Sequence, residues 1–132
     1  RILGPERSAT QIELAQTDCR NIGIQAPVRS SGDTKGTPGV TLRGPNGSLT
    51  VPEGVMIADR HIHMTPAQAA AFGLADGDRV KVKIDGPKPC VMGGVLIRAN
   101  DKCALDFHID TDDGNAFLLK QGQLVTVLGK EE

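Results

Sequence analysis

The chain has 132 residues, enough for one compact domain with a modest hydrophobic core. Its 15 basic and 16 acidic residues form no basic run, and no aromatic platform is present, which excludes an ordinary nucleic-acid-binding surface. No apolar run is long enough to span a membrane, no signal peptide is visible, and the 3 cysteines lack CxxC spacing, which indicates reduced thiols. The 16 glycines and 8 prolines indicate tight turns and favour an all-β or barrel-like fold.

One pattern occurs three times along the chain: an apolar strand, a threonine that can cap a short helix, and a glycine, which in the first two copies is followed by a hydrophobic residue. In the first copy the predicted strand covers residues 11–14, Thr17 is the predicted N-cap, and Gly23 ends the helix. Residues 29–38, rich in Ser, Gly and Thr, are the predicted mobile loop.

A β-hairpin is predicted after this loop. Two alternating segments, residues 39–43 and 48–51, flank a Gly-Pro-Asn-Gly turn. Because Asn-Gly is a strong hairpin signal, we expect these segments to pair.

The second copy begins with a predicted strand over residues 55–64. Thr65 is the predicted N-cap, with Pro66 at the first helical position and Gln68 completing a capping box. Gly73 is the predicted helix stop.

The third copy has a predicted strand over residues 104–109, Thr111 as the cap and Gly122 after the helix. Alternating strands follow the second and third copies, over residues 78–84 and 123–128. Short strands with tight turns and short helices predict a mainly β fold, a β-barrel capped by helices.

All 3 histidines fall in two clusters on predicted strands. Residues two apart on a strand point to the same side, so His61 and His63 aim two imidazoles at one point, and His108 supplies a third from another strand. Three imidazoles on one face of a metal ion leave positions open for a substrate, which is typical of a working site. Zinc, cobalt, nickel and iron all suit such ligands, and zinc is the default expectation.

Other polar residues are candidates for the same site. Glu13 occupies in the first copy the slot that His61 occupies in the second, so it also faces the site if the copies pack around one pseudosymmetric centre. Arg7 is suited to bind a phosphate or carboxylate, although a solvated arginine in a turn is the alternative. Asp110 or Asp59 could orient an imidazole from behind.

The sequence offers no convincing nucleophile. It contains no GxSxG, no phosphate-cradling GxxxxGK loop, and no cysteine paired with a spare histidine. Catalysis would therefore rest on Lewis-acid activation, orientation and charge stabilisation. Two alternatives stay open: a zinc-dependent hydrolase that uses metal-bound water, and a non-catalytic metal-containing β-domain.

Several short stretches recur in the order of a known family: RILGPER (1–7), QIE (11–13), GIQAPVR (23–29), GTPG (36–39), GPNG (44–47), RHIHM (60–64), HID (108–110) and NA (115–116). Through them the chain resembles the PduL-type phosphotransacylases (phosphate propanoyltransferases) over all 132 residues. The resemblance implies two interleaved β-barrels capped by short helices.

The resemblance also implies a site and a reaction. Two zinc ions would lie between the barrels, one held by His61, His63 and His108 and the other taking Glu13. Arg7 would bind the phosphate substrate and act as the catalytic residue. A propanoyl or similar short acyl group would pass between coenzyme A and inorganic phosphate. Since no nucleophilic side chain is evident, we expect phosphate to attack the thioester directly.

The organisation follows from the same resemblance. We expect residues 1–132 to be a single compact unit of a longer two-barrel enzyme, comprising a first part over residues 1–54 and a His-bearing barrel segment over residues 55–132. The chain begins with Arg1, and an N-terminal portion with another His-x-His pair would complete the second zinc site. The resemblance further implies the bacterial cytoplasm, the lumen of a propanediol-degrading microcompartment and microcompartment partners; we also expect a homo-oligomer.

Overall fold

The structure, a computed structural model, describes residues 2–4 and 6–132. Within them the chain is mainly β, which confirms the predicted fold class. The strands are β1 (Ile12–Glu13), β2 (Val28–Arg29), β3 (Val40–Gly44), β4 (Gly47–Val51), β5 (Val55–Ala58), β6 (His61–Met64), β7 (Arg79–Ile84), β8 (Cys90–Ala99), β9 (Asp106–His108) and β10 (Thr126–Lys130), and the helices are α1 (Gln16–Ile22), α2 (Pro66–Ala71) and α3 (Thr111–Ala116). None of these helices has the length and apolar character needed to cross a bilayer.

The chain divides into two compact units, and the boundary lies between Ala58 and Asp59. The boundary falls within residues 55–64, which the sequence predicts as one strand, and that prediction is wrong because β5 ends at Ala58 and β6 begins at His61. The interruption coincides with two contacts of Asp59, one to a neighbouring residue and one to a distant residue. The backbone carbonyl of Asp59 turns toward the ring of His61, and its carboxylate accepts from Arg79.

The first unit contains a three-stranded sheet and a separate hairpin. In the sheet, β5 lies between β1 and β2 and is parallel to both. The hairpin of β3 and β4 confirms the prediction, with Gly44 opposite Gly47. Pro45 and Asn46 are therefore the two loop residues, and the fixed negative φ of proline excludes a type I′ turn.

The second unit is built on one five-stranded sheet with the order β10-β7-β8-β6-β9. The β6–β8 pair is parallel and the other pairs are antiparallel. In this order β9 and β10 are edge strands, and no closed barrel is found within residues 2–4 and 6–132. The predicted barrel closure therefore stays a prediction.

One face of this sheet forms the hydrophobic core of the second unit. Burial alternates along β7, where Val80, Val82 and Ile84 are buried and the residues between them are exposed. The core also takes side chains from β6, β8 and the α2 region, namely Ile62, Met64, Ala69, Leu74, Met92, Val95 and Ile97. Burial of each large aliphatic side chain contributes about 1.5–3 kcal/mol, so this face fixes which residues of β6 point the other way.

Helix α2 begins as the sequence predicts. Thr65 is its N-cap, and its hydroxyl accepts a hydrogen bond from the Gln68 N–H, while the Gln68 side chain accepts from the Thr65 N–H. Pro66 occupies the first helical turn, where its missing N–H is not needed. The capping box places α2 directly after β6.

The other two predicted caps are wrong. Helix α1 is preceded by Ala15 as N-cap, and Thr17 lies inside its first turn. Helix α3 is capped by Asp110, whose carboxylate accepts from the Asp113 N–H, so Thr111 is its first helical residue. Asp competes well with Thr as an N-cap because its carboxylate also interacts favourably with the helix dipole.

The third copy also differs from the pattern at its end. Helix α3 ends at Ala116, well before Gly122, and Leu118 adopts the left-handed conformation with φ 56°. The last strand covers Thr126–Lys130 instead of residues 123–128. Glycine therefore ends the first two helices but not the third.

Candidate metal centre

The three histidines lie on neighbouring strands of the second unit. Strands β6 and β9 pair with His61 opposite His108. The next pair along these strands is Ile62 and Phe107, and both side chains pack toward the core. Because side chains alternate along a strand, the histidines point to the opposite face. The predicted convergence of the three imidazoles on one sheet face is thus found.

The distances are those of a potential metal site. The Nε2 atoms of His61 and His63 are 3.1 Å apart, and the ring centroids of the three histidines lie 4.7, 4.8 and 5.0 Å from one another. One ring nitrogen from each of His61, His63 and His108 lies within 4.8 Å of the others. Nitrogens bound to one tetrahedral zinc at about 2.0–2.1 Å would be roughly 3.3 Å apart, so small adjustments suffice to bring all three onto one ion.

The rings of His61 and His63 are each oriented by a group that contacts Nδ1, on the side away from Nε2. The Nδ1 of His61 lies 2.7 Å from the carbonyl oxygen of Asp59, and the Nδ1 of His63 lies 2.9 Å from Cys103 Sγ. A carbonyl only accepts, so the neutral His61 ring carries its proton on Nδ1 and presents the lone pair of Nε2. This arrangement matches the hydrogen bonding found behind histidine ligands in metalloproteins.

The sequence predicts that the carboxylate of Asp59 or Asp110 orients an imidazole, but neither carboxylate makes this contact. The backbone carbonyl of Asp59, not its carboxylate, contacts His61. The Asp59 carboxylate accepts from Arg79 at 2.6 Å, and that of Asp110 caps α3. Cys103 was not identified as a partner, because it lies 40 residues from His63 in the sequence and in no recognisable motif.

The electrostatics of the cluster favour neutral rings. The pKa of His63 lies below its ordinary value of 6.5, first because of burial and then because of the charges of His61, His108 and Arg98. A neutral imidazole is the form that binds a metal ion, so the site is prepared to accept a cation near neutral pH.

Accessibility increases across the cluster. His61 is only 7% exposed, His63 is intermediate, and the side chain of His108 is 47% exposed and lies with Nε2 3.5 Å from Asp106 Oδ2. The site is therefore anchored at His61 and open to solvent at His108. Three imidazoles with one open side fit a divalent cation that keeps positions for exchangeable ligands.

A cavity of about 700 Å³ lies elsewhere in the second unit. Its lining includes Ile62, Met64 and Phe107, which alternate with the histidines along β6 and β9, and residues of α3 and β10. None of the three histidines lines it. The cavity therefore lies mainly on the core side of the sheet, although Asp106, which lies 3.5 Å from His108 Nε2, also lines it.

The other two predicted site residues belong to the first unit, where they share a polar cluster. An Arg7 guanidinium nitrogen lies 3.1 Å from Ser31 Oγ. Gln11 links the cluster, since its amide nitrogen donates to Glu13 at 2.6 Å and to Ser31 at 2.9 Å and its amide oxygen accepts from the Gly32 N–H. The roles of Arg7 and Glu13 in phosphate and metal binding stay predictions.

Comparison with known proteins resolves the family. The family model for phosphate propanoyltransferase matches residues 1–120. The chain belongs to the phosphate propanoyltransferase family. Relatives bearing that name include proteins of Thermotoga maritima, 47% identical over 129 residues, and Lachnoclostridium phytofermentans, 44% identical over 128 residues.

The family match covers nearly the whole chain but only part of each relative. The alignment with the Thermotoga maritima protein includes 97% of this chain and 61% of the relative. For the Salmonella typhimurium phosphate propanoyltransferase the identity is 46%, with 88% of this chain and 56% of the relative covered. The chain therefore spans about 60% of the length of the phosphate propanoyltransferases that it matches.

Proposed function

We propose that this chain forms part of an acyltransferase that moves a propanoyl or similar short acyl group between coenzyme A and inorganic phosphate. The observation that carries the proposal is the convergence of His61, His63 and His108 on a solvent-accessible face in a member of this family. An open three-imidazole site suits chemistry better than a structural role, because structural zinc sites usually have four protein ligands.

We propose zinc as the ion held by the three histidines, because neutral imidazoles suit it. When bound, the ion would polarise the thioester carbonyl and stabilise the developing thiolate of coenzyme A. A second zinc that takes Glu13 is part of the proposal, as the resemblance implies. The Gln11 amide, which donates to Glu13 at 2.6 Å, would orient that carboxylate.

The protein's own groups would bind and orient the reactants. Arg7 would hold phosphate through its planar guanidinium, which suits bidentate contact with two phosphate oxygens. Ser31, 3.1 Å from Arg7, limits the orientations of that guanidinium. Phosphate would attack the thioester directly, and such positioning can supply much of a rate enhancement without a covalent enzyme intermediate.

The larger assembly belongs to the same proposal. Two interleaved barrels and association into a homo-oligomer are what the resemblance implies. A location in the bacterial cytoplasm, within a microcompartment, has the same basis.

The deciding experiment measures products. Zinc-loaded protein is incubated with propanoyl-CoA, with and without inorganic phosphate, and free thiol, acyl phosphate and free acid are quantified. Acyl phosphate that forms only with phosphate supports the acyltransferase. Free acid in both incubations supports the hydrolase, and no thiol release supports a non-catalytic metal-containing domain.

Removal of a ligand tests the site itself. The His61→Ala and His108→Ala variants should each lose bound metal and activity together, because two imidazoles hold zinc poorly. Lys81→Ala, on an exposed position of the same sheet, is the control and should keep both. Full metal stoichiometry in both histidine variants would contradict the proposed centre.

The role of Arg7 has a separate test. Arg7→Ala should raise the KM for phosphate by about 10-fold or more with little change in the KM for acyl-CoA, because the variant loses charge-assisted hydrogen bonds. Arg20→Ala removes another exposed arginine of the first unit and is the matched control. An equal phosphate KM in the two variants would remove Arg7 from the mechanism.

A further inference from the structure

Arg98 lies beside the metal centre and on the same face of the sheet. In the parallel pair of β6 and β8, His63 is opposite Arg98 and His61 is opposite Leu96. Ile97, between them, is fully buried in the core together with Ile62. Because side chains alternate along a strand, the guanidinium of Arg98 extends on the histidine side.

Arg98 is half-buried and has no ionic partner among residues 2–4 and 6–132. Carboxylates on the neighbouring segment serve other groups: Asp76 accepts from the Ala99 N–H, and Asp78 accepts from Lys130 and the Ala75 N–H. Arg79, the other arginine near this face, is committed to Asp59 at 2.6 Å. Asp106, opposite His63 on β9, lies with its carboxylate 3.5 Å from His108 Nε2. Within the described part of the chain, Arg98 is therefore a guanidinium without a carboxylate in ion-pair contact.

A guanidinium without an ion-pair partner next to a cation site is electrostatically unfavourable. Its positive charge repels a divalent ion held by His63 and the neighbouring imidazoles. An anion that contacts both the guanidinium and the metal ion would turn that repulsion into two attractions. Arrangements that are unfavourable without ligand and favourable with it are typical of binding sites.

We propose that Arg98 binds the phosphoryl oxygens of inorganic phosphate or of an acyl phosphate at the three-histidine centre. This inference rests on the proposed function and adds a second guanidinium to the phosphate-binding residues. The planar donors of arginine match two oxygens of a phosphoryl group. The diphosphate of coenzyme A is a poorer candidate, because the long pantetheine arm separates it from a thioester placed at the metal ion.

The test measures binding and does not depend on turnover. Inorganic phosphate is titrated calorimetrically into protein loaded with one equivalent of zinc, for the parent, Arg98→Gln and Lys81→Gln. Lys81→Gln removes one positive charge from the same sheet face on β7, which is separated from β6 by β8. Arg98→Gln should weaken phosphate binding about 10- to 100-fold, and Lys81→Gln should stay within about 2-fold of the parent.

A second measurement separates anion binding from a structural role. Zinc affinity, measured by competition with a chromophoric chelator, should be unchanged or tighter in Arg98→Gln, because a repelling charge is gone. Weaker zinc binding in Arg98→Gln, phosphate affinity equal to that of the parent, or a parent that does not bind phosphate would each overturn the inference.

Two further titrations identify the source of the phosphoryl group. Acetyl phosphate should show the same dependence on Arg98 as inorganic phosphate, whereas ADP, which carries a diphosphate like that of coenzyme A, should not. Loss of ADP binding alone in Arg98→Gln would overturn the assignment. If phosphate binding depends on Arg98 but no acyl transfer is detected, the inference stands and the proposed function fails.

Discussion

The pKa of His63 is lowered by its surroundings in the histidine cluster. Burial, the other two histidines and Arg98 all lower it below 6.5. Protonation of the folded state is therefore harder than protonation of the unfolded chain, so the unfolded state binds more protons between the lowered pKa and 6.5. The stability that depends on neutral His63 is complete above pH 6.5 and is lost as the pH falls through the folded-state pKa.

This gives a pH prediction. The metal-free protein should lose unfolding free energy on acidification from about pH 7.5 to about pH 5, measured by urea denaturation, and zinc affinity should fall over the same range. The His63→Gln variant lacks the titrating group and should show a shallower loss of stability. Identical pH profiles for the two proteins would contradict the assigned role of His63.

Cys103 gives a second prediction at this scale. Its sulfur lies 2.9 Å from Nδ1 of His63, so Cys103→Ala removes the group that holds this ring from behind. Zinc affinity should fall about 10-fold with one ion still bound, as for other partners of metal ligands. Cys90→Ala is the control, because Cys90 is equally half-buried but packs against the core. Equal zinc affinities for the two variants would show that Cys103 does not orient His63.

At the level of secondary structure, helices α2 and α3 differ in whether the predicted threonine is the N-cap. Thr65 caps α2, whereas Asp110, not Thr111, caps α3. Thr65→Ala should lower the unfolding free energy by about 1 kcal/mol, because the N-terminal N–H groups of α2 lose an acceptor. Thr111→Ala should change it by a few tenths of a kcal/mol at most, since Asp110 caps α3. Chemical denaturation of both variants tests the pair, and equal losses would mean that the cap of α3 is misassigned.

The predictions that succeeded rest on local signals. The capping box at Thr65 and the alternation of β7 depend on residues close in sequence, and both are found. The break at Asp59 was missed because it depends on Arg79, 20 residues away, and on a carbonyl that turns toward His61. The apparent repeat predicts Thr111 as the cap, whereas Asp110 is the N-cap because its carboxylate is the better acceptor.

The same division holds for the site. The His-x-His spacing predicts that two rings share one face, and the position of His108 on a second predicted strand suggests the third. The pairing of β6 with β8 cannot be predicted from either strand alone, so no sequence signal indicates that Arg98 lies beside His63. Cys103 lies in the turn after β8 and reaches His63 only through the tertiary fold.

At the level of the whole molecule, all three histidines belong to the second unit, Asp59–Glu132. Metal bound only by folded protein should therefore stabilise this unit selectively. At free zinc about 100 times above the dissociation constant the gain is about 2.7 kcal/mol. We expect a chelator to lower the Tm of the second unit by several degrees, as followed by calorimetry.

The control for metal removal is a protein that cannot bind the ion. A variant with both His61→Ala and His108→Ala should melt at the same temperature with and without chelator. If the parent also shows no shift, the histidines do not hold a metal ion under those conditions. A shift in the transition of the first unit instead would point to ligands other than these histidines.

Strand β6 carries two requirements in four residues: His61 and His63 on one side, and Ile62 and Met64 on the other. Loss or gain of a single amino acid here would exchange the two sides, bury the imidazoles and expose the aliphatic groups. A substitution alters one side chain and leaves the others on their faces of the sheet, whereas an insertion or deletion moves every following side chain of the strand to the opposite face. Over evolutionary time this segment should accept replacements while excluding insertions and deletions, and engineered spacers or tags should be kept out of it.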